Sequence, residues 1–338
     1  MSEPLLIWGA GAIGGTIGAY LARAGHDVLL VDNVPEHVAA MRTKGLAIEG
    51  PLDEFTQPVA AVTLDDVHGR FGRILLCVKA HHTEAATRQL APHLAEGGYV
   101  ASFQNGLNEF VIGQVVGLPN VVGAFINFGA DYLEPGRILF GGRGACVLGE
   151  LDGAITPRLT ALHDLLRAFE PAAITTDNIL GYLWGKLGYG ALLFATALTD
   201  DSIADVLDDA AHRAVLTQVA REVMAVAAAK GITPLGFNGF DPSAFAPGGS
   251  AAAVAASMAA MVAHNRKSAK SHSGIWRDLA VRRRPTEVDA QIGPVVAEGL
   301  FHGVPTPCNA RLVAMIHQIE RGERPLARAN LAELAEAS

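Results

Sequence analysis

Residues 5–32 read LLIWGAGAIGGTIGAYLARAGHDVLLVD. A short apolar run gives way to Gly9, Gly11, Gly14 and Gly15 within seven residues, then to a stretch of helical period, then to a second apolar run that stops on Asp32. Gly9, Ala10, Gly11, Ala12, Ile13 and Gly14 match the G-x-G-x-x-G turn. In that turn glycines permit a tight bend, close approach of a pyrophosphate to the backbone and close packing of helix on strand. The following helix start offers unpaired N–H groups to phosphates. Alone the motif is weak; the flanking strand, helix and acid make it specific. The bland alternative is a strand-to-helix turn that binds nothing. Asp32 lies 23 positions after Gly9, where a carboxylate accepts hydrogen bonds from ribose hydroxyls and repels a 2′-phosphate. NAD is therefore the expected cofactor. NADP is the alternative, because Asn33 follows directly and Arg42 or Lys44 could turn toward a phosphate.

Working outward, short Val/Ile/Leu-rich runs alternate with helical stretches from Leu5 to about Val147, the pattern of a parallel sheet covered on both faces. LLIW, DVLLVD, RILLCVK and YVASFQN are the clearest strands. NVVGAFI, GRILFG and ACVLGE are separated by turn signals and are expected to extend the sheet in antiparallel fashion. Beyond Thr176 the apolar residues fall at helical spacing, interrupted by the Gly/Pro-rich ITPLGFNGFDPSAFAPGGS, which reads as a long loop. The expected architecture is α/β: a Rossmann-type doubly wound domain over 1–175, followed by an all-helical domain over 176–338.

Composition narrows the function classes. At 338 residues two domains are the default, and no uncharged apolar run is long enough to cross a bilayer. The first apolar run is too short for a signal peptide, so a cytoplasmic protein is expected. Three cysteines without metal-type spacing argue against a disulfide framework, and Cys77, inside ILLCVK, reads as packing. A formal charge of −8 gives no reason to expect nucleic acid or membrane as a partner. No pair among the 12 histidines has a convincing metal spacing.

Chemistry has to come from polar residues elsewhere. Lys79 and Asn105 each follow a predicted strand, at the carboxyl edge where open α/β sheets bind ligands; an ordinary loop or Asn-Gly turn is the rival reading. Lys186 is the only charge in the apolar helical stretch LGYLWGKLGYGALLF, among glycines that leave room for a backbone or a ligand. Such an ammonium either snorkels to solvent or serves a site as proton donor. Glu287 opens a helix in RRRPTEVDAQIG, where an acid also suits the dipole, and Arg282, Arg283 and Arg284 before it are either an anion contact or a solvated basic loop.

Together these residues resemble the ketopantoate reductase family, whose members reduce a 2-oxo acid with NADPH. The landmarks are GAGAIGG, CVKA, FQNG, WGKL and RPTEVDAQIG, in the family's order over nearly the whole chain. The resemblance implies Lys186 as proton donor to the carbonyl oxygen and Glu287 as the acid that orients it or touches the nicotinamide end. It places Asn105 and Lys79 along the cofactor ribose and the reacting centre, in a cleft between the domains. It also exposes departures. The substrate-holding asparagines expected four and eight residues after the lysine are Gly190 and Phe194, and the asparagine before the last glycine of TEVDAQIG is Ile292. The paired serines appear as Ser273-Gly274. These changes imply a less polar pocket at Ser273, Gly190 and Phe194.

The expected activity is thus reduction of a 2-oxo acid or related carbonyl compound bulkier or less polar than ketopantoate, by an enzyme that could form a homodimer. Alternatives are a true 2-dehydropantoate 2-reductase, a dehydrogenase of the 3-hydroxyacyl-CoA or 6-phosphogluconate kind, and a non-catalytic dinucleotide sensor.

Overall fold

The structure, a computed structural model, describes residues 4–267 and 271–337. The chain divides into two compact units, 1–179 and 180–338, so the boundary falls four residues beyond the one expected at 175/176.

The first unit carries strands β1 (Leu5–Trp8), β2 (Val28–Val31), β3 (Leu46–Glu49), β4 (Phe55–Gln57), β5 (Ala60–Val62), β6 (Phe71–Leu76), β7 (Leu94–Ser102), β8 (Val121–Ile126), β9 (Gly129–Glu134), β10 (Arg137–Gly142), β11 (Cys146–Glu150) and β12 (Ile174–Thr175). Its helices are α1 (Ala12–Arg23), α2 (Pro35–Lys44), α3 (Thr83–Leu90), α4 (Asn108–Val116) and α5 (Pro157–Leu166). Eight strands form one sheet in the order β12-β11-β8-β7-β6-β1-β2-β5. From β5 to β8 every neighbouring pair is parallel, which is the doubly wound Rossmann order. β1 sits at its centre and shows why the run LLIW carries no polar residue. Leu5 and Ile7 enter the core on one face while Leu6 and Trp8 enter the core on the other. A strand covered on both faces reads as a continuous apolar run.

The antiparallel expectation holds for β11, which pairs with β8, and fails for β10. GRILFG belongs instead to a second sheet, β4-β3-β10-β9, where β10 runs parallel to β3 and antiparallel to β9. Alternation and turn signals predict that a strand exists; they do not choose its partner.

The second unit contains α6 (from Ile179 to Thr196, its first residue in unit 1), α7 (Ile203–Asp208), α8 (Arg213–Ala229), α9 (Pro242–Phe245), α10 (Ala251–Lys267), α11 (Gly274–Trp276), α12 (Val288–Gln291), α13 (Gly293–His302), α14 (Pro307–Glu320) and α15 (Ala329–Ala335). Among its described residues there is no strand beyond one isolated bridge, Phe237 to Phe240. That bridge and the short α9 lie in the segment expected to be a plain loop. No described helix is long and apolar enough to cross a membrane.

Candidate active site

In the first unit, the loops that leave β1, β2, β6 and β7 are tied together at the carboxyl edge of the sheet. The Gly9 and Ala10 N–H groups both donate to Val31 O, at 2.8 and 3.1 Å. Cys77 N–H donates to Trp8 O at 2.8 Å, and Phe103 N–H to Leu76 O at 2.9 Å. Gly9 has φ +99°, and a Cβ on it would lie 2.9 Å from Val78. Gly14 is equally constrained: a Cβ there would meet Gly9 O, and Cys77 Cβ at 2.9 Å. These two glycines shape the turn.

Gly11 behaves differently. Nothing lies within 4 Å of where its Cβ would be. It is the N-cap of α1 with no side-chain cap, and the first turn of α1, which includes Ala12 and Ile13, holds no acid. The turn therefore presents open space, helix-start N–H groups and a positive dipole end at one place. These residues fit a dinucleotide pyrophosphate.

Asp32, at the end of β2, accepts Ala10 N–H on Oδ2 at 2.9 Å and Val34 N–H on Oδ1 at 3.0 Å. It is thus fixed against the glycine turn and also closes its own local turn, so both readings of this residue describe the geometry. Asn33, Arg42 and Lys44 are exposed.

His37, which the sequence reading passed over, supports this turn from below. It is fully buried. Gly136 N–H donates to its Nδ1 at 2.9 Å, which leaves the proton on Nε2 to be donated to Ala10 O, also at 2.9 Å. One imidazole therefore pins the phosphate turn to the β9–β10 hairpin.

The loop after β7 has its own buried support. Gln104 donates to Val78 O at 2.9 Å and to Thr83 Oγ1 at 2.8 Å. Asn108 Nδ2 donates to Asn105 O at 2.6 Å, and its Oδ1 lies 2.8 Å from Thr83 Oγ1. Gln104, Thr83 and Asn108 thus hold the main chain on either side of Lys79 and at Asn105. Lys79 is exposed and Asn105 partly so. Cys77 plays the packing part expected of it: burial pushes its thiol well above the usual range, and Cys146 is pushed up to about 12, again by burial first.

In the second unit three of the residues expected at the site, Lys186, Gly190 and Phe194, lie on α6. From Gly181 to Thr199 all residues are buried except Tyr182, Lys186 and Leu193, which are partly exposed. Those three fall at i, i+4 and i+11, a single stripe of the helix. The glycines on the other faces are filled by packing. A Cβ on Gly185 would meet Leu235 O, and one on Gly188 would lie 2.7 Å from Met224 and Phe240. Gly190, one turn beyond Lys186, meets only Gln291 Oε1, at 3.6 Å from the Cβ position. This contact brings α12, the helix that Glu287 opens, beside the Lys186 face of α6.

Glu287 is the partly exposed N-cap of α12 and makes no side-chain cap, so a capping role does not account for it. Ser273 does cap: it is buried, and its Oγ accepts Trp276 N–H at 3.1 Å. Phe194 is the most enclosed of the expected substrate residues that carry a side chain. It is 0% exposed and belongs to the buried hydrophobic residues of the second unit. Ile292 is likewise 0% exposed. Arg282 and Arg284 both pair with Asp278, at 3.0 and 2.9 Å, which accounts for two of the three arginines as a local clasp. Among the described residues no cluster of His, Cys, Asp or Glu could hold a metal ion.

Known proteins resemble this chain over nearly its whole length. A 2-dehydropantoate 2-reductase from Mesorhizobium japonicum is 28% identical over 94% of this chain and 98% of its own. One from Archaeoglobus fulgidus is 27% identical over 94% and 97%. The solved structure of a PanE/ApbA family ketopantoate reductase from Ralstonia eutropha superposes with a TM-score of 0.80 at 28% identity, covering 95% of this chain and 99% of that one. A D-mandelate dehydrogenase solved with NADH and anilino(oxo)acetate shares the fold at a TM-score of 0.80 and 23% identity, over 95% and 99%. The family pattern described as ketopantoate reductase PanE/ApbA matches residues 5–153, and that of its C-terminal region matches 178–320. The chain belongs to the ketopantoate reductase PanE/ApbA family.

Proposed function

We propose that the protein reduces the carbonyl of a 2-oxo acid with a nicotinamide dinucleotide, with Lys186 as proton donor. Bound at the glycine turn, the dinucleotide would supply the hydride. Gly9, Ala10, Gly11, Ala12, Ile13 and Gly14 accept the pyrophosphate, and Asp32 receives the adenosine ribose. As negative charge grows on the substrate oxygen, the Lys186 ammonium stabilises it and then gives up a proton. Glu287 orients that ammonium, while Lys79 and Asn105 serve the cofactor ribose and the reacting centre. Gln104, Thr83 and Asn108 hold the backbone from which those two residues project.

The observation that carries the reading is Lys186 itself: the one charge of α6, on a partly exposed stripe with Tyr182 and Leu193 of a helix whose other residues, Leu180 apart, are buried. Gly190 shapes the substrate preference. With no side chain there, and with Phe194 and Ile292 fully buried, Gln291 is the side chain that comes within 4 Å of the Gly190 Cβ position, one turn from Lys186. A bulkier or less polar 2-oxo acid than ketopantoate suits that position, since binding a substrate hydroxyl needs a polar partner. The names of the Mesorhizobium and Archaeoglobus relatives favour ketopantoate itself as the second reading. NAD is preferred over NADP because both oxygens of Asp32 are fixed by backbone N–H groups where a 2′-phosphate would be repelled. The protein acts as a small-molecule enzyme in the cytoplasm, and a homodimer is its proposed assembly.

A screen of ketopantoate, aliphatic and aryl 2-oxo acids with NADH and NADPH in parallel, followed at the nicotinamide absorbance, tests all three statements. Turnover of a larger oxo acid with NADH is expected. Turnover of ketopantoate alone would select the second reading, and turnover with NADPH alone would overturn the reading of Asp32. Unchanged turnover by Lys186→Ala would remove the proposed chemistry.

A further inference from the structure

The short helix that faces Lys186 is secured from behind by a chain of polar contacts. Glu320, near the end of α14, accepts both Thr286 N–H and Thr286 Oγ1–H on Oε1, each at 2.7 Å. Thr286 Oγ1 in turn accepts Val288 N–H at 3.3 Å. The other Glu320 oxygen, Oε2, lies 2.8 Å from His317 Nδ1, and Asp289 Oδ1 lies 2.9 Å from His317 Nε2. The contacts therefore grip Thr286 on one side of Glu287 and Asp289 on the other.

We propose that His317 is a positioning residue: through Glu320 and Asp289 it clasps both ends of the Thr286–Asp289 segment, and so fixes Glu287 and Gln291 against the Lys186 face of α6. The inference rests on the proposed role of that face. A neutral imidazole has one N–H, so only the imidazolium donates to carboxylates at both nitrogens. The clasp is complete with the ring protonated and loses one arm when the proton leaves. Burial works against the charged ring, but the hydrogen bonds and charges of Glu320 and Asp289 outweigh it and raise His317 above its ordinary value. Charges elsewhere on the elements packed around α14 are engaged with other partners. Arg321 pairs with Glu323, Arg311 and Arg324 share Glu333, Glu298 pairs with Lys230, and Glu222 receives the Cys308 and Asn309 N–H groups at the start of α14. A folded-state value raised above the unfolded one means that the contribution to stability is complete at low pH. It is lost as pH rises through the folded value.

Two measurements test the proposal. The first follows kcat and KM from about pH 6 to about pH 9, around the ordinary histidine range, for wild type, His317→Gln and Glu320→Gln. Misplacing a reacting group by a fraction of an ångström to 1 Å costs up to about 100-fold, so kcat of both variants should fall by about 10-fold to 100-fold at the acidic end with the dinucleotide KM unchanged. The wild type should show a decline through the raised imidazole range that both variants lack; any limb belonging to Lys186 survives in all three. The second measurement records amide resonances of Val288–Gln291 alongside the His317 ring through the same titration. Amides that move with the ring in wild type and cease to do so in Glu320→Gln support the clasp. Amides that stay fixed while the ring titrates overturn it, whatever the kinetics show. If they move with the ring and no carbonyl compound is reduced by the wild type, the functional reading fails and the clasp stands.

Discussion

Two glycine-rich stretches dominate the molecule, GAGAIGG at the first strand and GYLWGKLGYG on α6, and they use the residue in opposite ways. In the first, Gly9 and Gly14 let the backbone fold on itself, and Gly11 leaves a void at a helix start. In the second, Gly185 and Gly188 are consumed by helix packing against Leu235, Met224 and Phe240, while a Cβ on Gly190 would meet just Gln291 Oε1, at 3.6 Å. The same residue type thus makes a ligand cradle in one place and a packing seam in the other. What distinguishes them is the company: a helix start in the first, the single charged residue of an apolar helix in the second.

Four substitutions would break or sharpen this contrast. The largest effect belongs to Lys186→Ala, for which steady-state kinetics should show kcat reduced about 100-fold to 10,000-fold, the usual span for a positioned general acid, with dinucleotide affinity retained. Next is Gly185→Ala, which drives a methyl group into Leu235 O. Denaturant unfolding should reveal a loss of about 2–3 kcal/mol, as overpacking of a tight seam does. Gly11→Val should leave the unfolding midpoint nearly unchanged while weakening dinucleotide binding about 10-fold, or about 1.4 kcal/mol, in a fluorescence titration. A large drop in stability instead would show that Gly11 is a structural glycine like Gly14. The smallest change is expected of Gly190→Ala. Since the new methyl meets only Gln291 at 3.6 Å, helix propensity should raise stability by up to about 1 kcal/mol, with substrate KM rather than kcat altered. A destabilised Gly190→Ala protein would place that glycine in the seam.

The parts legible in the sequence were those whose signal is local. β1, the glycine turn, α1 and Asp32 lie within 28 residues, and each carries its own physical signature in periodicity, glycine spacing or a terminal acid. Lys186 stood out for a similar reason, as the single charge in an apolar helical run, and it lies on a partly exposed stripe of α6. The small sheet was not: β4 and β9 are only three and six residues long, partly exposed, and paired with strands whose choice of partner no pattern encodes. Gln104, Thr83 and Asn108 read as ordinary polar residues, because their partnership spans up to 25 positions and depends on the β6 and β7 loops coming together. His37 is an extreme case, since its two partners lie 27 and 99 positions away. Phe194 shows a different effect. A position eight residues from Lys186 is more than two helical turns away and has rotated about 80° off its face, which the alignment of motifs alone conceals.

His37 also has a consequence for chemical probing. Its Nδ1 lone pair is committed to Gly136 and its Nε2 proton to Ala10, and the ring is wholly enclosed. An acylating reagent therefore finds no nucleophilic nitrogen on this ring in the folded chain and can modify it only after the hairpin parts from the glycine turn. Mass-spectrometric timing of that one modification would serve as a stopwatch for the opening of the nucleotide cradle, separate from any optical signal of global unfolding.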